Sequence, residues 1–411
     1  MHLLWMKSDY IIPPDTGGKI RTYNLLRELN KLCDVTYLSF KSSTAPNVEA
    51  GIRECASEVM TIHRAEEDKS GLSFYGRVLK GLASSQPYTV QKYRSGQIVD
   101  IQRTWLESHP GEPAVILCDF LEMSENVSWS LPCPKVLFQH NVESVIWSRH
   151  FENEGNPAKR AYFNLERRRM TRYEAAACNR FDLVFTVSEK DRAILRDGLG
   201  VSRPIEVLET GVDTEYFSPC ADVRPTPGKL LFLGSMDWMP NIDGARWFVQ
   251  EVYPAIKSDR PEVTLDIVGR RPTEEIIGFA RQDGSIRVSG DVPDVRRYIA
   301  EADLFIVPLR IGGGTRIKIY EAMAMACPVV STTVGAEGLP LEPDRNIVIG
   351  DSPIEFAQQV RRLLEAPSVK EAVAEEGYRF VSENCSWKNV AMKLHDRCAQ
   401  LAQIDERQEE T

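Results

Sequence analysis

The stretch ADLFIVPLRIGGGTRIKIYEAMAMACPVVSTT, residues 302–333, contains a strand, a glycine-rich turn, a helix and a second strand in immediate succession. The apolar run at 303–307 predicts a buried strand, and the three glycines at 312–314 let the backbone approach a ligand. Unpaired amides at the start of the helix and its dipole favour an anion there. The side chains of Arg316 and Lys318 act in the same direction.

The predicted helix carries one carboxylate among apolar neighbours. Thr315 is placed to cap the helix, and Glu321 follows in its second turn. A carboxylate in such surroundings needs a polar partner, and ribose hydroxyls are a suitable one. A glycine-rich turn between strand and helix also occurs in doubly wound sheets for purely structural reasons. Neither a dinucleotide fingerprint nor a P-loop fits, because Ile317 stands at the third glycine position and no Gly-Lys-Ser/Thr is present.

Short apolar runs alternate with longer helical patterns along the whole chain. Such runs, buried on both faces with helices between them, predict parallel β-sheets. The alternation is interrupted at 218–229, SPCADVRPTPGK, where three prolines and the absence of periodicity predict a linker. We therefore predict an α/β protein of two facing Rossmann-like domains, residues 1–217 and 228–386, with a deep ligand cleft between them.

The composition indicates a globular protein rather than a membrane or nucleic-acid-binding protein. The chain has 411 residues, 43% of them hydrophobic, and contains no run of about 20 apolar residues that would span a bilayer. The net charge of -9 argues against general nucleic-acid binding. The nine cysteines include no C-x-x-C pair, so we expect reduced thiols and a cytoplasmic protein.

Two further positions in the first predicted domain suggest contact with a ligand. Gly17 and Gly18 follow the first apolar run and indicate a backbone that comes close to another group, although a plain turn explains them equally well. His140 ends the predicted strand KVLFQH, and the carboxyl ends of parallel strands line the ligand crevice in such sheets. A purely structural role for this histidine stays open.

A predicted helix at 156–173 carries four arginines, and two interpretations of them stay open. The arginines are Arg167, Arg168, Arg169 and Arg172. They form either a solvated helix face paired with Glu166 and Glu174 or a docking patch for anionic lipid headgroups. The second interpretation predicts peripheral contact with the inner face of a membrane.

Residues 302–333 resemble the nucleotide-sugar half of retaining GT-B glycosyltransferases of family 4. In that family a glutamate, seven residues and a second glutamate precede Ala-Met-Ala and a Pro-Val-Val strand. The segments 321–324 and 328–330 match this pattern, whereas Gly313 replaces the first glutamate. In a second departure, Ser235 stands where the family has an arginine, and Asn241 lies where a lysine is expected.

The resemblance implies the GT-B fold, in which a C-terminal helix, here at about 387–411, crosses back to the first domain. It implies transfer of a sugar, with retention, from a nucleoside diphosphate sugar to a saccharide or lipid-linked acceptor in polysaccharide or glycoconjugate synthesis. Glu321 is expected to bind the ribose of the donor. Gly17, Gly18 and His140 are expected to orient its sugar.

The charge of the diphosphate is expected to be stabilised at the start of the predicted helix. The groups concerned are the backbone amides of Gly313, Gly314 and Thr315 and the side chains of Arg316 and Lys318. We expect no cofactor and no metal ion, because the chain contains no Asp-x-Asp triplet. Two alternatives remain open: a nucleotide-sugar epimerase of the same fold and a non-catalytic regulatory or scaffold subunit.

Overall fold

The computed structural model describes residues 1–14, 16–41, 48–63, 84–311 and 316–409. These residues form two compact units. The first unit comprises Met1–Glu209 and the chain from Val390 onward, and the second comprises Thr210–Asn389. Three residues of the predicted site, Gly313, Gly314 and Thr315, lie outside the described residues.

The first unit is built on a parallel sheet. Its strands are β1 His2–Lys7, β2 Asp34–Lys41, β3 Glu58–His63, β4 Ala114–Asp119, β5 Lys135–Phe138, β6 Leu183–Thr186 and β7 Ile205–Val207. They are ordered β3-β2-β1-β4-β5-β6-β7, and every neighbouring pair is parallel. The central strands β1, β4, β5 and β6 are buried along almost their whole length, as their near-continuous apolar runs predict.

The second unit repeats this arrangement with six strands. They are β8 Lys229–Leu233, β9 Thr264–Val268, β10 Ile286–Ser289, β11 Leu304–Val307, β12 Val329–Ser331 and β13 Val348–Ile349. Their order is β10-β9-β8-β11-β12-β13, again all parallel. Both sheets therefore have the strand order of a Rossmann-type fold, in which ligands bind at the carboxyl ends of the strands.

Helices connect the strands in both units. In the first unit they are α1 Gly17–Leu29, α2 Val48–Arg53, α3 Tyr88–Gln91, α4 Gly96–Glu107, α5 Glu143–Asn153, α6 Pro157–Cys178 and α7 Glu189–Ala193. In the second they are α8 Met239–Trp247, α9 Tyr253–Asp259, α10 Glu274–Gln282, α11 Arg296–Glu301, α12 Ile317–Ala324, α13 Pro353–Glu365 and α14 Pro367–Asn384. The last helix is α15, Trp387–Glu409. The predicted α/β fold class is confirmed.

The chain enters the second unit earlier than the predicted linker at 218–229. The amide of Val212 donates a hydrogen bond to the carbonyl oxygen of Cys385 at 2.7 Å, and the amide of Trp387 donates to the carbonyl oxygen of Val212 at 3.2 Å. The indole of Trp387 packs so closely on Gly211 that no Cβ fits there. These contacts attach the backbone just after Glu209 to the second unit.

Two glycines bring the carboxyl ends of β8 and β9 together. The amide of Gly234 donates to the carbonyl oxygen of Val268 at 3.0 Å, and that of Met236 donates to the carbonyl oxygen of Arg270 at 2.9 Å. A Cβ on Gly269 would overlap the carbonyl oxygen of Gly234. Because both groups belong to the backbone, neither can move aside as a flexible side chain would.

We expect Gly269→Ala to lower the free energy of unfolding by more than about 2 kcal/mol, because the added methyl group collides with backbone. The matched control is Gly278→Ala in α10, where an added Cβ meets no atom within 4 Å. That change should raise the free energy of unfolding by about 0.5 to 1 kcal/mol. Urea titrations of both variants test the contrast, and equal effects would contradict it.

Candidate functional site

Lys318 directs its ammonium group from α12 toward the end of β8. Its Nζ donates hydrogen bonds to the carbonyl oxygen of Leu233 at 2.8 Å and to Oδ1 of Asn241 at 3.1 Å. The same Nζ lies 5.1 Å from the centre of the Phe232 ring. The structure therefore places a cation next to Asn241, the position at which the family lysine is missing from the sequence.

Asn241 is held in place by backbone on two sides. Its Nδ2 donates to the carbonyl oxygen of Ser235 at 2.9 Å. A Cβ on Gly234 would lie 2.6 Å from that same Nδ2, so the absence of a side chain at Gly234 makes room for the amide. The Oδ1 atom of Asn241 consequently stays directed at Lys318.

Glu321 is the least compensated acid of this region. It makes no hydrogen bond or ion pair with another described residue. Burial raises the pKa of Glu321 to about 7, and the charge of Lys318 opposes that rise. Burial likewise lowers the pKa of Lys318 to about 7, with the charge of Arg316 acting in the same direction and that of Glu321 against it. Both groups therefore titrate near neutral pH, where a bound anion would favour the protonated lysine.

Arg316 lies at the start of the same helix. Its φ of -90° and ψ of 62° make it the N-cap residue of α12, so the helix begins one residue later than predicted. The side chain is buried, and its guanidinium carbon lies 5.6 Å from the centre of the Trp238 ring. Burial lowers the pKa of Arg316, and Glu337 opposes this effect. The structure thus brings three predicted site residues, Arg316, Lys318 and Glu321, onto one short helix.

A further cation stands at this end of the sheet and was missed in the sequence. The Nε atom of Arg270 donates to Oγ of Ser235 at 2.7 Å, and that hydroxyl donates to Oδ1 of Asp237 at 2.5 Å. Arg270 and Arg271 are both exposed. Their position could have indicated this role, because they directly follow the predicted strand VTLDIVG. Ser235 likewise follows a predicted strand, and the carboxyl ends of parallel strands lie at the same edge of a sheet.

The first unit contains a buried polar network centred on Asp119, the last residue of β4. Oδ2 of Asp119 accepts hydrogen bonds from Trp5 Nε1 at 3.0 Å, Lys7 Nζ at 2.8 Å and Thr22 Oγ1 at 2.7 Å. Its Oδ1 lies 2.7 Å from Nε2 of His140. Sequence reasoning singled out His140, which lies two residues beyond the end of β5 and not at the end of the strand as predicted. It missed Asp119 and Lys7, although both are the last residues of buried strands.

Two aromatic rings contact the imidazole of His140. The Phe120 ring is stacked on it at 4.0 Å with an interplanar angle of 20°, and the Phe138 ring lies at 4.4 Å. A Cβ on Gly18 would lie 3.0 Å from Cζ of Phe120 and 3.8 Å from Nδ1 of His140. Gly18 therefore lets the start of α1 approach the histidine, whereas Gly17 has no neighbour within 4 Å of such an atom.

The pKa values of both Asp119 and His140 lie below their ordinary values. Burial lowers the pKa of His140 to about 4, although Asp119 opposes the shift. Burial also disfavours the carboxylate of Asp119, but Lys7 and His140 outweigh it and hold its pKa well below the ordinary value. At neutral pH the site therefore contains a carboxylate next to a neutral imidazole.

Three other features of the described residues bear on the predictions. In this part of the chain no three His, Cys, Asp or Glu side chains converge closely enough to hold a metal ion. None of its helices is both long and apolar enough to cross a membrane. Among the predicted pairs on α6, Arg169 donates to Glu166 at 2.7 Å, whereas Glu174 accepts the amides of Glu143 and Ser144 at the start of α5.

Two family models match the chain, and each contains one part of the site. The model of glycosyl transferases group 1 matches residues 227–366, and that of glycosyltransferase family 4 matches residues 114–216. The chain belongs to the group 1, or family 4, glycosyltransferases. In this family 4 protein the first match includes Lys318 and Glu321, and the second includes Asp119 and His140.

Curated relatives of this family 4 protein are distant. It is 24% identical over 263 residues to an uncharacterized 44.6 kDa protein in the cps region of Klebsiella pneumoniae, covering 62% of this chain and 66% of the relative. It is 26% identical over 238 residues to the GDP-mannose-dependent alpha-(1-6)-phosphatidylinositol monomannoside mannosyltransferase of Mycolicibacterium smegmatis, covering 53% of this chain and 62% of the relative. These matches span just under two thirds of each relative's length.

Solved structures resemble the chain over its whole length. Anabaena HepE in complex with UDP has a TM-score of 0.67 at 13% identity, with 98% of this chain and 100% of that chain covered. Sucrose-phosphate synthase from Thermosynechococcus elongatus has a TM-score of 0.65 at 17% identity, with 98% and 99% covered. At such low identity the likeness concerns the fold alone, and it confirms the predicted GT-B architecture.

We expect the stability of this family 4 protein to depend on pH through Lys318. Its pKa is about 7 in the folded protein and about 10.4 in an unfolded chain, so the unfolded state binds more protons between these values. The folded protein should therefore gain stability, relative to Lys318→Met, as the pH rises from 8 to 10. The gain is up to about 1.4 kcal/mol per pH unit.

Urea titrations at pH 8, 9 and 10 measure this difference. In the variant, Glu321 loses its neighbouring cation and resists ionisation more strongly, which acts in the same direction. The control is Lys388→Met, which removes an exposed lysine. Parallel pH curves for the native protein and Lys318→Met would contradict the assignment.

Proposed function

We propose that this protein transfers a sugar from a nucleoside diphosphate sugar to a saccharide or lipid-linked acceptor. The observation that carries the proposal is the pair Glu321 and Lys318 on α12, two partly buried ionisable groups whose charges the described residues compensate only in part. Removing such charges from water costs free energy unless a partner of opposite charge or a hydrogen-bonding group compensates them. A nucleotide supplies both partners, since its ribose donates hydroxyl hydrogens and its diphosphate is anionic.

Family membership and two named proteins support this choice of donor. HepE was solved in complex with UDP, and the Mycolicibacterium smegmatis relative is named as GDP-mannose-dependent. UDP is a nucleoside diphosphate and GDP-mannose is a nucleoside diphosphate sugar. Both therefore contain the ribose and the diphosphate that Glu321 and Lys318 would bind. We further propose a role in polysaccharide or glycoconjugate synthesis.

In the proposed reaction the bond between the anomeric carbon and the diphosphate oxygen breaks, and its electron pair leaves with the diphosphate. Arg316 and Lys318, with the amides of Gly313 to Thr315, would stabilise the negative charge that develops there. Arg270 adds a cation at the end of the neighbouring strand, beside Ser235. Cations placed at this point stabilise the leaving group more in the transition state than in the bound donor.

The proposed sugar contacts come from the first unit, at His140 and the Gly17–Gly18 segment. The resemblance to family 4 leads us to propose that the anomeric configuration is retained. The acceptor hydroxyl would then attack on the face that the diphosphate leaves, and a diphosphate oxygen would take up its proton. We propose no protein nucleophile and no metal ion in this step.

Product analysis separates the proposed transfer from its two alternatives. A panel of UDP, GDP and ADP sugars is first screened by thermal shift, and the donor that binds is incubated with and without acceptors. Transfer yields glycosylated acceptor and one nucleoside diphosphate per sugar. An epimerase yields an isomerised sugar without acceptor, and a scaffold subunit yields neither product.

The same assay tests metal independence when it is run with excess EDTA. We expect the transfer rate to be unchanged. A loss of activity in EDTA that magnesium or manganese restores would contradict this part of the proposal and leave the transfer itself standing.

We expect Glu321→Gln to weaken binding of the free nucleoside diphosphate by about tenfold to a hundredfold. Hydrogen bonds to a charged group contribute on the order of 1.5 to 3 kcal/mol, which corresponds to this range. Calorimetry with the nucleoside diphosphate measures the loss. Glu371→Gln, at an exposed position of α14, is the control and should bind as the native protein does. Unchanged affinity in a folded Glu321→Gln variant would make Glu321 a structural residue.

We expect Arg316→Ala and Lys318→Met to weaken binding of the nucleoside diphosphate much more than binding of the nucleoside, which lacks the phosphate charges. The loss should be greater for Arg316→Ala, because a guanidinium can hold two phosphate oxygens at once. Arg287→Ala, at an exposed position of β10, serves as the control. Equal losses for both ligands, or none, would assign the diphosphate to other groups such as Arg270.

A further inference from the structure

The ammonium group of Lys318 is held by two uncharged oxygen atoms. Its Nζ donates to the backbone carbonyl oxygen of Leu233 at 2.8 Å and to the side-chain Oδ1 of Asn241 at 3.1 Å. The ring of Phe232 lies near the same Nζ, but its centre is 5.1 Å away, beyond hydrogen-bonding distance. Carbonyl and amide oxygens orient a cation without cancelling its charge, as a carboxylate would.

The ammonium keeps one hydrogen-bond donor in reserve. A lysine ammonium has three N–H groups, and the described residues accept hydrogen bonds from two of those of Lys318. Glu321, on the same helix, acts on Lys318 through its charge but forms no ion pair with it. One N–H group and a positive charge without an ion-pair partner in this part of the chain therefore remain for a ligand.

The amide of Asn241 is itself fixed, so the direction of its oxygen is set. Its Nδ2 donates to the carbonyl oxygen of Ser235 at 2.9 Å, and its backbone amide donates to that of Trp238 at 2.9 Å. The residue is buried, and a Cβ on Gly234 would lie 2.6 Å from Nδ2. A flipped amide would direct Nδ2 at the ammonium and Oδ1 at a carbonyl oxygen, so neither hydrogen bond of the side chain would form.

We propose that Asn241 is a positioning residue, which together with the carbonyl oxygen of Leu233 orients Lys318 so that its third N–H donates to an anionic phosphate oxygen of the bound nucleotide. The identity of this ligand rests on the proposed function, whereas the orientation of the ammonium does not. Because both holding atoms are uncharged, the positive charge of Lys318 stays available to the phosphate. The neutral side chain at Asn241 is therefore a requirement for binding the diphosphate.

The competing interpretation is that Asn241 only links the end of β8 to the start of α8. It predicts that changes at Asn241 act through stability and affect every ligand equally. Two variants of similar size separate the interpretations, Asn241→Asp and Asn241→Leu. Both lose the donor to Ser235, but only Asn241→Asp places a negative charge next to Lys318.

An NMR titration of the lysine side chains tests the contact without any ligand. Burial lowers the pKa of Lys318 to about 7, with Arg316 acting in the same direction and Glu321 against it. A carboxylate at position 241 favours the charged ammonium, so this pKa should rise by at least one pH unit in Asn241→Asp. The Lys318 signal is identified by its absence from Lys318→Met.

The matched control is Asn384→Asp, at an exposed position of α14. It makes the same chemical change elsewhere in the second unit and should leave the pKa of Lys318 as it is. An unchanged pKa of Lys318 in Asn241→Asp would overturn the proposal.

Calorimetry with a nucleoside diphosphate and with its nucleoside tests the phosphate contact. In Asn241→Asp the affinity for the diphosphate should fall by about tenfold to a hundredfold, because the carboxylate pairs with the ammonium and repels the phosphate. In Asn241→Leu it should fall by about two- to tenfold, because the ammonium keeps its charge but loses one holding atom. The nucleoside should bind equally to all three proteins. Equal losses for both ligands, or native affinity in Asn241→Asp, would overturn the proposal.

A double variant shows whether Asn241 acts through Lys318. In the Lys318→Met background, Asn241→Leu should cause no further loss of affinity for the diphosphate, since the ammonium that it orients is gone. The same loss in both backgrounds would overturn the positioning role. This comparison also decides the matter if Asn241→Asp does not fold, because Asn241→Leu introduces no buried charge.

The outcomes for this proposal and for the proposed function are distinct. A selective loss of diphosphate affinity in the variants, together with an absence of any transfer by the native protein, would count against the proposed function alone. Transfer by the native protein without a selective loss in the variants would count against the positioning role alone. If the native protein binds none of UDP, GDP and ADP, the phosphate contact and the proposed function both fail.

Discussion

Helices cover the faces of each parallel sheet, so buried polar side chains find room mainly where the strands end. The ionisable groups of the candidate site follow this constraint. Asp119 is the last residue of β4, His140 follows β5, Arg270 follows β9, and the ammonium of Lys318 bonds the last carbonyl oxygen of β8. Since all strands of a sheet point the same way, the carboxyl ends of each sheet lie at one edge, and within each unit residues distant in sequence become neighbours.

The acidic groups Asp119 and Glu321, one in each unit, differ in the hydrogen bonds that compensate their charge. In the first unit three groups donate hydrogen bonds to Oδ2 of Asp119, and the pKa of this carboxyl is lowered although the group is fully buried. In the second unit Glu321 has no hydrogen bond to a described residue, and burial raises its pKa to about 7. Several donors on one carboxylate offset the cost of its burial, whereas an acid without a donor leaves that cost for a ligand to offset. The contrast is the reason why the nucleotide is proposed to bind at the second unit.

At two positions where the sequence lacks a cation of the family pattern, the structure places a cation from elsewhere in the chain. Ser235 and Asn241 carry no charge, yet Arg270 donates to Ser235 and Lys318 donates to Asn241. Both cations reach these positions because the backbone is unusually close there. Gly269 packs on Gly234, and Gly234 leaves room for the amide of Asn241. A missing cation in a sequence pattern therefore does not mean an uncharged site, since another strand end can supply the charge.

The sequence by itself determined the fold class and one part of the site. Apolar runs such as LLFLG and DLFIVP depend only on neighbouring residues, so β8 and β11 lie where they were predicted, and the helix with Lys318 and Glu321 follows β11. The tertiary structure decided what these residues touch. Thr22 and Lys7 meet Asp119 across separations of 97 and 112 residues, and Lys318 meets Leu233 across 85. No local pattern encodes such contacts, because they arise only when the strands are ordered side by side and their carboxyl ends come together.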